Sequence, residues 1–528
     1  FIPDEAAYKM LVSYSTNTLK GERLRLFDGL VKKSELSGAA ADLVTTFRKY
    51  CITPQMLENA AQKTDDKLLS KKLSDCGVIY RAYIEALKST GADDRHNALS
   101  CAAQLLCKNG ENYFEGRNVY IDNFSDFDPA EYELLRVIMT LSPRVCVSLC
   151  FDEDEQFKSV FRTYSELIRI AKTCGCEMEG CVSLPESALN VSPMLRHLEK
   201  AYFSGGLMRF SGSDGSLRIH CANDKISEIH TVAGEICKLV KDGVRYRDIS
   251  VVARDIESYK SLIDRIFKRY NIPVFLDRKI LLSGHCVTLF LTSVLETVIF
   301  GFKYETMFSY IKSPFSPIDP GEADELENYC LAAGISSYGW AKPFTRRYAV
   351  YSSDKERQSF ITEDDLKHIN DLRKRVCAPL ELLKKDFDNA KNAAEYTAAL
   401  FNFMQNSALE KKVRESAKAL EKNGENLYAL QTVQVYNIIV DILNDICAVI
   451  PGGDLSPREF YSIIQSGTDS VEIGTIPSSI DCVNAGSIDR LKGHAAKNVF
   501  LIGTNALVFP AAITDSGIFS DNDKEELS

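Results

Sequence analysis

The strongest constraint on the fold is a pair of strand–helix–strand patterns. The short apolar runs "NVYI" (118–121) and "RVCVSLC" (144–150) flank the helical segment "PAEYELLRVIMTLS". A second pair of runs, "DISVVAR" (248–254) and "IPVFLD" (272–277), flanks another helical segment. A strand, a helix and a second strand in this order indicate parallel strands joined by a crossover helix. The sequence therefore predicts an α/β fold.

Helical periodicity dominates the rest of the chain. Apolar residues recur at three- and four-residue steps before residue 116 and again after residue 286. Strand character returns in "SIDCVNAGS" and "NVFLIG" near the end, and "FSGSDGS" indicates a linker. We therefore predict two α/β cores, each with a helical insertion. The predicted segments are the insertion of the first core (1–115), the remainder of that core (116–205), the first part of the second core (206–300), its helical insertion (301–465) and its return (466–528).

Length and composition are typical of a multidomain globular protein. The chain has 528 residues, of which 45% are hydrophobic and 26% charged, and a domain holds about 150 residues. No window of about 18 residues is apolar and free of charge, and the start "FIPDEAAYKMLVSY" lacks a signal-peptide pattern and an initiator Met. We expect an internal fragment of a longer protein that does not enter a membrane. The net charge of −10 gives no overall attraction for nucleic acid, although a channel can be locally basic.

Sixteen cysteines are scattered among apolar runs, which favours reduced, buried thiols and a cytoplasmic location. The one tight cluster, "CGCEMEGC", contains Cys174, Cys176 and Cys181. No fourth Cys or His stands at a zinc-like spacing beside it. A loop with free thiols is therefore favoured over a metal site.

Polar residues follow two predicted strands and lie in one later loop. Asp122 follows "NVYI", where α/β sheets place ligands, although an Asp that caps the next turn is an equally good explanation. Arg254 ends "DISVVAR", and alone it is more simply a surface ion-pair partner. Lys492-Gly493, in "IDRLKGHAAK", is alone most simply a turn with a solvated lysine. Asn123 is an amide, so it cannot take up a proton from an attacking water at neutral pH.

Three motifs stand in the order found in UvrD-like superfamily 1 helicases. "IDNFSDF" resembles the D-E-F-Q-D-T motif, and "DISVVARD" and "IDRLKGHAAKNVFLIGTNALVFP" resemble two later motifs. More narrowly, "VYIDNFSDFDPAEYELL", "IPVFLDRK", "YETMFSYIKS" and "ELENYCLAAGI" resemble AddB, the second-subunit family of the bacterial AddAB (RexAB) helicase-nucleases. The resemblance extends from Leu69 to Leu527. It implies two RecA-like cores of a UvrD-like superfamily 1 helicase, each with an all-helical insertion.

The resemblance also implies site residues. Asp122 and Asn123 match the nucleotide motif, in which a hydrolytic enzyme carries Glu at the position of Asn123. Arg254 matches an arginine that reaches the γ-phosphate of a nucleotide across a cleft. Lys492 and Gly493 match a loop between nucleotide and DNA, so Lys492 and its neighbour Arg490 are the expected DNA contacts. No catalytic residue and no metal ligand is predicted in this chain.

Several departures from the helicase pattern predict a silent motor. The chain contains no G-x-x-x-x-G-K-[ST] sequence, which in the family lies upstream of the present start. The segment "FDEDEQF" has no sensor Gln in register, and K-G-H-A (492–495) replaces K-G-L-E. Phosphoryl transfer depends on positioning and charge complementarity. We therefore expect no ATP hydrolysis by this fragment.

The resemblance implies a role in processing double-strand DNA breaks for homologous recombination. The expected function is that of a motor-inactive module that binds single- and double-stranded DNA and an AddA-type motor subunit. The full-length family implies ATP, Mg²⁺ and an iron–sulfur cluster, and a nuclease domain further along the chain, but we expect none of these cofactors in this fragment. The "IDR" strings at 263–265 and 488–490 are not nuclease motifs. Two alternatives stay open: an active ATP-dependent 3′–5′ DNA helicase, and a structural scaffold without DNA binding.

Overall fold

The computed structural model combines many helices with short parallel sheets. It describes residues 4–19, 24–27, 34–91, 98–110, 113–150, 158–182, 192–202, 209–212, 214–276, 280–335, 337–347, 349–351, 358–474, 481–491, 496–510 and 518–527. The predicted α/β class is confirmed.

Four helices form an N-terminal block (residues 5–90). They are α1 (Glu5–Thr18), α2 (Ser34–Lys49), α3 (Pro54–Lys63) and α4 (Lys67–Thr90). Side-chain oxygens of Thr53 and Asp66 accept backbone N–H groups at the starts of α3 and α4, as N-cap residues do. Gly91 ends α4 with a φ of 65°, which glycine adopts without steric cost. Leucine, valine and tyrosine side chains of α1 and α4 fill the core of this block.

The first α/β unit follows the N-terminal block. Its elements are α5 (Ala98–Asn109), β1 (Asn118–Ile121), α6 (Pro129–Leu141), β2 (Arg144–Val147), α7 (Lys158–Thr173) and α8 (Pro193–Tyr202). β1 and β2 pair in parallel, as the sequence predicts, and α6 begins with a capping box between Asp128 and Glu131. Ile121 and Val147 pack beneath α6 and α7. Tyr120, on the other face of β1, is 69% exposed.

The next segment begins a second sheet and leads into a second helical block (residues 286–470). The first elements are α9 (Lys225–Lys241), β3 (Ile249–Ala253), α10 (Glu257–Arg269), β4 (Val274–Leu276) and β5 (Ile280–Leu281). The block comprises α11 (Cys286–Phe300), α12 (Tyr304–Ile311), α13 (Pro320–Ala333), β6 (Ala349–Tyr351), β7 (Gln358–Phe360), α14 (Glu363–Asn389), α15 (Ala393–Asn406), α16 (Leu409–Lys422), α17 (Asn426–Val449) and α18 (Pro457–Ser470). Capping boxes begin α13, α14 and α18.

One helix of the second block is apolar along much of its length. Among the described helices, α17 is long and apolar enough to cross a membrane, judged by length and composition. Its residues Val435, Ile442 and Ile446 are buried in the core of the second helical block. A buried core helix of this kind satisfies the same criterion.

The last elements include a strand, β8 (Glu472–Ile473), that pairs with β5 in an antiparallel orientation, and two further strands of the second sheet, β9 (Val483–Ser487) and β10 (Asn498–Ile502). They also include α19 (Ile488–Leu491) and α20 (Asp521–Leu527). β3, β4, β9 and β10 form one parallel sheet in the order β10-β3-β9-β4. Strands from both sides of the second helical block in sequence therefore share one sheet. Apolar side chains of α9 and α10 pack with this sheet in a single core.

Helix α1 belongs to two hydrophobic cores. Ala6, Ala7 and Met10 pack with the second helical block, whereas Leu11 and Val12 pack with the N-terminal block. Gly467 stands at the close approach of α1 to α18, where a Cβ would lie 2.8 Å from Sδ of Met10 and would force that side chain to shift. The predicted insertion 1–115 therefore shares its first helix with the other helical segment. The physical reason is that α1 buries apolar side chains on more than one face.

The end of the described chain leaves the second sheet. Phe519 packs against Phe47 with ring centroids 6.5 Å apart, and Lys72 Nζ lies 2.7 Å from a carboxylate oxygen of Asp523. Residues 518–527 thus contact the N-terminal block, although they fall within the predicted return segment 466–528. Apolar contacts and one ion pair decide this placement.

Candidate functional site

Asp122 lies at the carboxyl edge of the first sheet. It directly follows β1, and Ser148 directly follows the paired strand β2. The backbone N–H of Ser148 donates to the carbonyl oxygen of Ile121 (2.9 Å), and its hydroxyl donates to the carboxylate of Asp122. Asp122 is exposed, so its carboxylate remains open to solvent and to a cation.

The backbone conformation at position 123 favours asparagine. Its φ is +66°, in the left-handed region that Asn tolerates better than most residues. The side chain at this point in the turn is an amide, which can donate and accept hydrogen bonds but cannot act as a general base. The turn therefore combines a carboxylate that can attract a cation with a neighbour that cannot activate water.

The loop after Asn123 presents an aromatic ring that the motifs did not single out. Phe124 is 43% exposed and stacks on the buried ring of Phe127, with centroids 5.0 Å apart. The hydroxyl of Thr163 on α7 donates to the carbonyl oxygen of Ser125 (3.1 Å) and fixes the loop. The sequence signal was an aromatic residue two positions after Asp122, at a strand end. The ring is accessible to a base that stacks on it.

Arg254 lies at the carboxyl edge of the second sheet. It follows β3, is exposed, and its Nη1 donates to the carbonyl oxygen of Val508 (3.4 Å), beyond β10. β3 connects to β4 across β9, while β9 connects to β10 across β3. The two connections leave in opposite directions, and such a switch point creates the crevice in which α/β sheets bind ligands. The position of Arg254 suits a contact with an anionic ligand.

The predicted DNA loop begins at the same edge. β3 and β9 are paired, with Ala253 opposite Ser487, so the helical turn α19 starts beside Arg254. Arg490 lies in that turn, and Lys492 and Gly493 lie outside the described residues. The structure thus places Arg254 and the backbone of Arg490 at one sheet edge. Asp122 and Asn123 lie on the other sheet, and a common cleft for both pairs stays a prediction.

A hydrogen-bonded link at this edge had no sequence signature. The carboxylate of Glu228, in the first turn of α9, accepts from the hydroxyl of Tyr259 (2.8 Å) and the backbone N–H of Gly503 (2.9 Å). Burial, and then the hydrogen bond to Glu228, raise the pKa of Tyr259. The Nζ atom of Lys225 lies 4.9 Å from the centroid of the Tyr259 ring. These contacts fix the exit of β10 against α9 and α10.

The cysteine cluster points to three different partners. The Sγ atoms of Cys174 and Cys176 contact the carbonyl oxygens of Arg136 and Met139, and that of Cys181 contacts the Tyr164 hydroxyl. Within the described ranges, no group of three His, Cys, Asp or Glu residues is placed to hold a metal ion. All sixteen cysteines fall in these ranges and carry free thiols.

Comparisons with known proteins show which proteins the chain is similar to. The family model "ADDB, N-terminal" matches residues 3–199. The second (B) subunit of the ATP-dependent helicase/deoxyribonuclease from Clostridioides difficile is 31% identical over 98% of this chain and 46% of its own length. The same subunit from Caldanaerobacter subterraneus subsp. tengcongensis is 30% identical over 99% and 46%, and that from Clostridium botulinum strain Hall is 29% identical over 98% and 46%.

Parallel sheets with polar residues at their carboxyl edges define an α/β protein with the architecture of a ligand-binding fold. The matches confirm the resemblance to AddB that the motifs indicated, because residues 3–199 match the AddB N-terminal family model and nearly the whole chain is similar to helicase/deoxyribonuclease B subunits. The chain spans about half the length of the curated relatives that it matches.

Proposed function

We propose that this chain is a helicase-shaped, motor-silent part of an AddB-type subunit, which binds DNA and a motor partner. In this proposal the two sheets belong to two RecA-like cores of a UvrD-like superfamily 1 helicase, each with a helical insertion. The full protein takes part in processing double-strand DNA breaks for homologous recombination in the cytoplasm. The relatives are named as the second (B) subunit of an ATP-dependent helicase/deoxyribonuclease, which supports the existence of a partner subunit.

The observation that carries the proposal is the Asp122–Asn123 turn. Asp122 keeps an exposed carboxylate, but Asn123 supplies no base for an attacking water. The left-handed backbone at Asn123 makes Glu unfavourable there, so the amide suits the local conformation. A site that keeps the carboxylate of the nucleotide motif but has no general base supports a role as a scaffold for nucleic acid and protein.

ATP turnover tests the silent motor. We expect this chain to hydrolyse no ATP above background, with or without single-stranded DNA. A DNA-stimulated turnover of about 1 s⁻¹, which is ordinary for an enzyme, contradicts the proposal and favours an active 3′–5′ helicase.

Single-strand affinity tests the DNA path. We propose Lys492 and Arg490 as phosphate contacts and exposed aromatic rings as stacking surfaces. Base stacking contributes about 1–3 kcal/mol per base, whereas a chain of charge −10 gains little from long-range attraction. We expect Lys492→Ala and Arg490→Ala to weaken binding and to make it less sensitive to salt.

The matched control is Lys418→Ala, an exposed lysine on α16 to which no ligand role is assigned. Binding is measured for this chain and for the full complex across a salt series. If both test variants behave like the control in both settings, the loop is a plain turn. If wild type shows no binding, a purely structural scaffold is favoured.

A further inference from the structure

An apolar side chain stands exposed at the tip of the loop after β10. Leu507 is 81% exposed and its φ is +68°, in the left-handed region that residues with a Cβ avoid. An exposed leucine gains no burial on folding, and its backbone conformation is unfavourable. Both features act against stability at one residue. Such a residue is a candidate for a contact with something outside the fold.

The loop that carries Leu507 is held by hydrogen bonds on both sides. The backbone N–H groups of Val508 and Phe509 donate to the carbonyl oxygen of Asn505 (3.1 and 3.0 Å). At the start of the loop, the N–H of Gly503 donates to Glu228 (2.9 Å). The left-handed conformation of Leu507 is therefore imposed by a closed turn. These hydrogen bonds restrict the backbone of the tip, and a restricted loop loses less entropy when a ligand binds.

The charged neighbour of the tip is Arg254. Its Nη1 donates to the carbonyl oxygen of Val508, the residue next to Leu507. A guanidinium has five N–H donors, and this bond uses one of them. The apolar tip and the cation lie together at the carboxyl edge of the second sheet, after the neighbouring strands β10 and β3.

We propose that Leu507 is an apolar wedge against the bases of single-stranded DNA, with Arg254 on an adjacent phosphate. The inference rests on the proposed DNA binding. It assigns a role to Leu507, to which the resemblance gives none, and it gives Arg254 a DNA phosphate in place of the nucleotide γ-phosphate that the resemblance implies. Leucine is among the side chains that proteins insert between bases, and a guanidinium matches phosphate geometry. A protein partner would also cover an exposed leucine. The adjoining exposed cation at a ligand crevice favours a nucleic acid strand.

The test exploits the left-handed backbone. Leu507→Gly removes the side chain and at the same time relieves the positive φ, so the thermal midpoint is expected to stay equal or to rise. Leu507→Asn is the second variant, because Asn tolerates this conformation and is polar. Binding to an oligo-dT single strand is measured by fluorescence anisotropy with this chain and with the full complex. We expect about tenfold weaker binding for both variants.

Leu430→Ala is the matched control, since Leu430 is an exposed leucine on α17, away from the sheet edge. It is expected to bind the strand as wild type does. If wild type binds and Leu507→Gly binds equally well, the wedge is refuted while the proposed DNA binding stands. If wild type does not bind, the proposed function itself fails. If Leu507→Gly weakens only the association with the motor subunit, the tip is a protein contact and the wedge is overturned.

Discussion

Asp75 anchors the N-terminal block through three backbone hydrogen bonds. The side chain lies on α4 and is 1% exposed. Its Oδ1 accepts from the N–H of Arg25 (2.8 Å), and its Oδ2 accepts from the N–H groups of Leu26 (2.7 Å) and Phe27 (3.0 Å). Phe27 is buried in the core of this block. One carboxylate therefore holds a whole turn of chain against α4.

The cost of removing this carboxylate follows from the three bonds. A hydrogen bond to a charged group contributes about 1.5–3 kcal/mol, so three give an upper limit of about 9 kcal/mol. Arg25 and Leu26 are exposed, and their N–H groups can regain water if the turn shifts. We therefore expect Asp75→Ala to lower the free energy of unfolding by about 3–5 kcal/mol. Asp75→Asn retains one carbonyl oxygen and is expected to cost about 2 kcal/mol.

The assay combines urea denaturation followed by circular dichroism with amide hydrogen exchange. Exchange at residues 25–27 reports directly on the three N–H groups. The control is Asp66→Ala, which removes the exposed N-cap of the same helix and is expected to cost about 1 kcal/mol. If Asp75→Ala costs no more than the control, or if exchange at residues 25–27 is unchanged, the anchoring role is refuted.

Three further predictions concern charge and backbone. Burial, and then the charges of Asp4 and Asp441, raise the pKa of Asp445 to about 6. The folded state thus binds more protons, and stability falls as pH rises between about 4 and 6. Asp445→Asn should add about 1 kcal/mol at pH 8 and nothing below pH 4, and a gain that does not vary with pH in denaturation curves contradicts this. Lys72→Met should release α20 and increase proteolysis at 518–527, because it removes the ion pair between Lys72 on α4 and Asp523 on α20. The hydrogen bond from Lys72 also lowers the pKa of Asp523. The stability that this ion pair contributes is present above pH ~4 and is lost as pH falls through the lowered pKa of Asp523. An increase in proteolysis that persists in acid refutes the prediction. Asn123→Glu should cost about 1 kcal/mol and yield no ATP hydrolysis, whereas Asn123→Gly should be neutral in the same denaturation assay.

Local structure could be predicted where short-range physics decides it. β1 and β2 lie within the predicted apolar runs because four alternating residues suffice to define a strand face. Helix α6 begins at Pro129 because Asp128 and Glu131 form a capping box within four residues. The predicted strands of the second sheet also pair in parallel. In each case the causes lie within a few residues of one another.

Contacts between distant segments could not be predicted in the same way. Glu228 meets Gly503 across 275 positions, and nothing in the first turn of α9 distinguishes Glu228 from a solvated residue. Position 507 holds leucine and not glycine or asparagine, so its residue type does not indicate a left-handed backbone. Its conformation goes with the backbone hydrogen bonds that Val508 and Phe509 donate to Asn505. The strand ends were thus enough to predict that Asp122 and Arg254 lie at the carboxyl edges of the two sheets, whereas the contacts that hold the edge of the second sheet join residues far apart in the sequence.

The double membership of α1 has a consequence for cooperativity. Because Met10 is buried in one core and Leu11 in the other, neither block can lose this helix without exposing apolar surface in both. Denaturation of the N-terminal block should therefore speed up hydrogen exchange at α18, which lies hundreds of positions later in the chain. A shortened chain that starts after Thr18 would lose buried apolar contacts in both cores and not in one alone. Helix α1 is therefore part of both cores, and unfolding of either helical block destabilises the other through this helix.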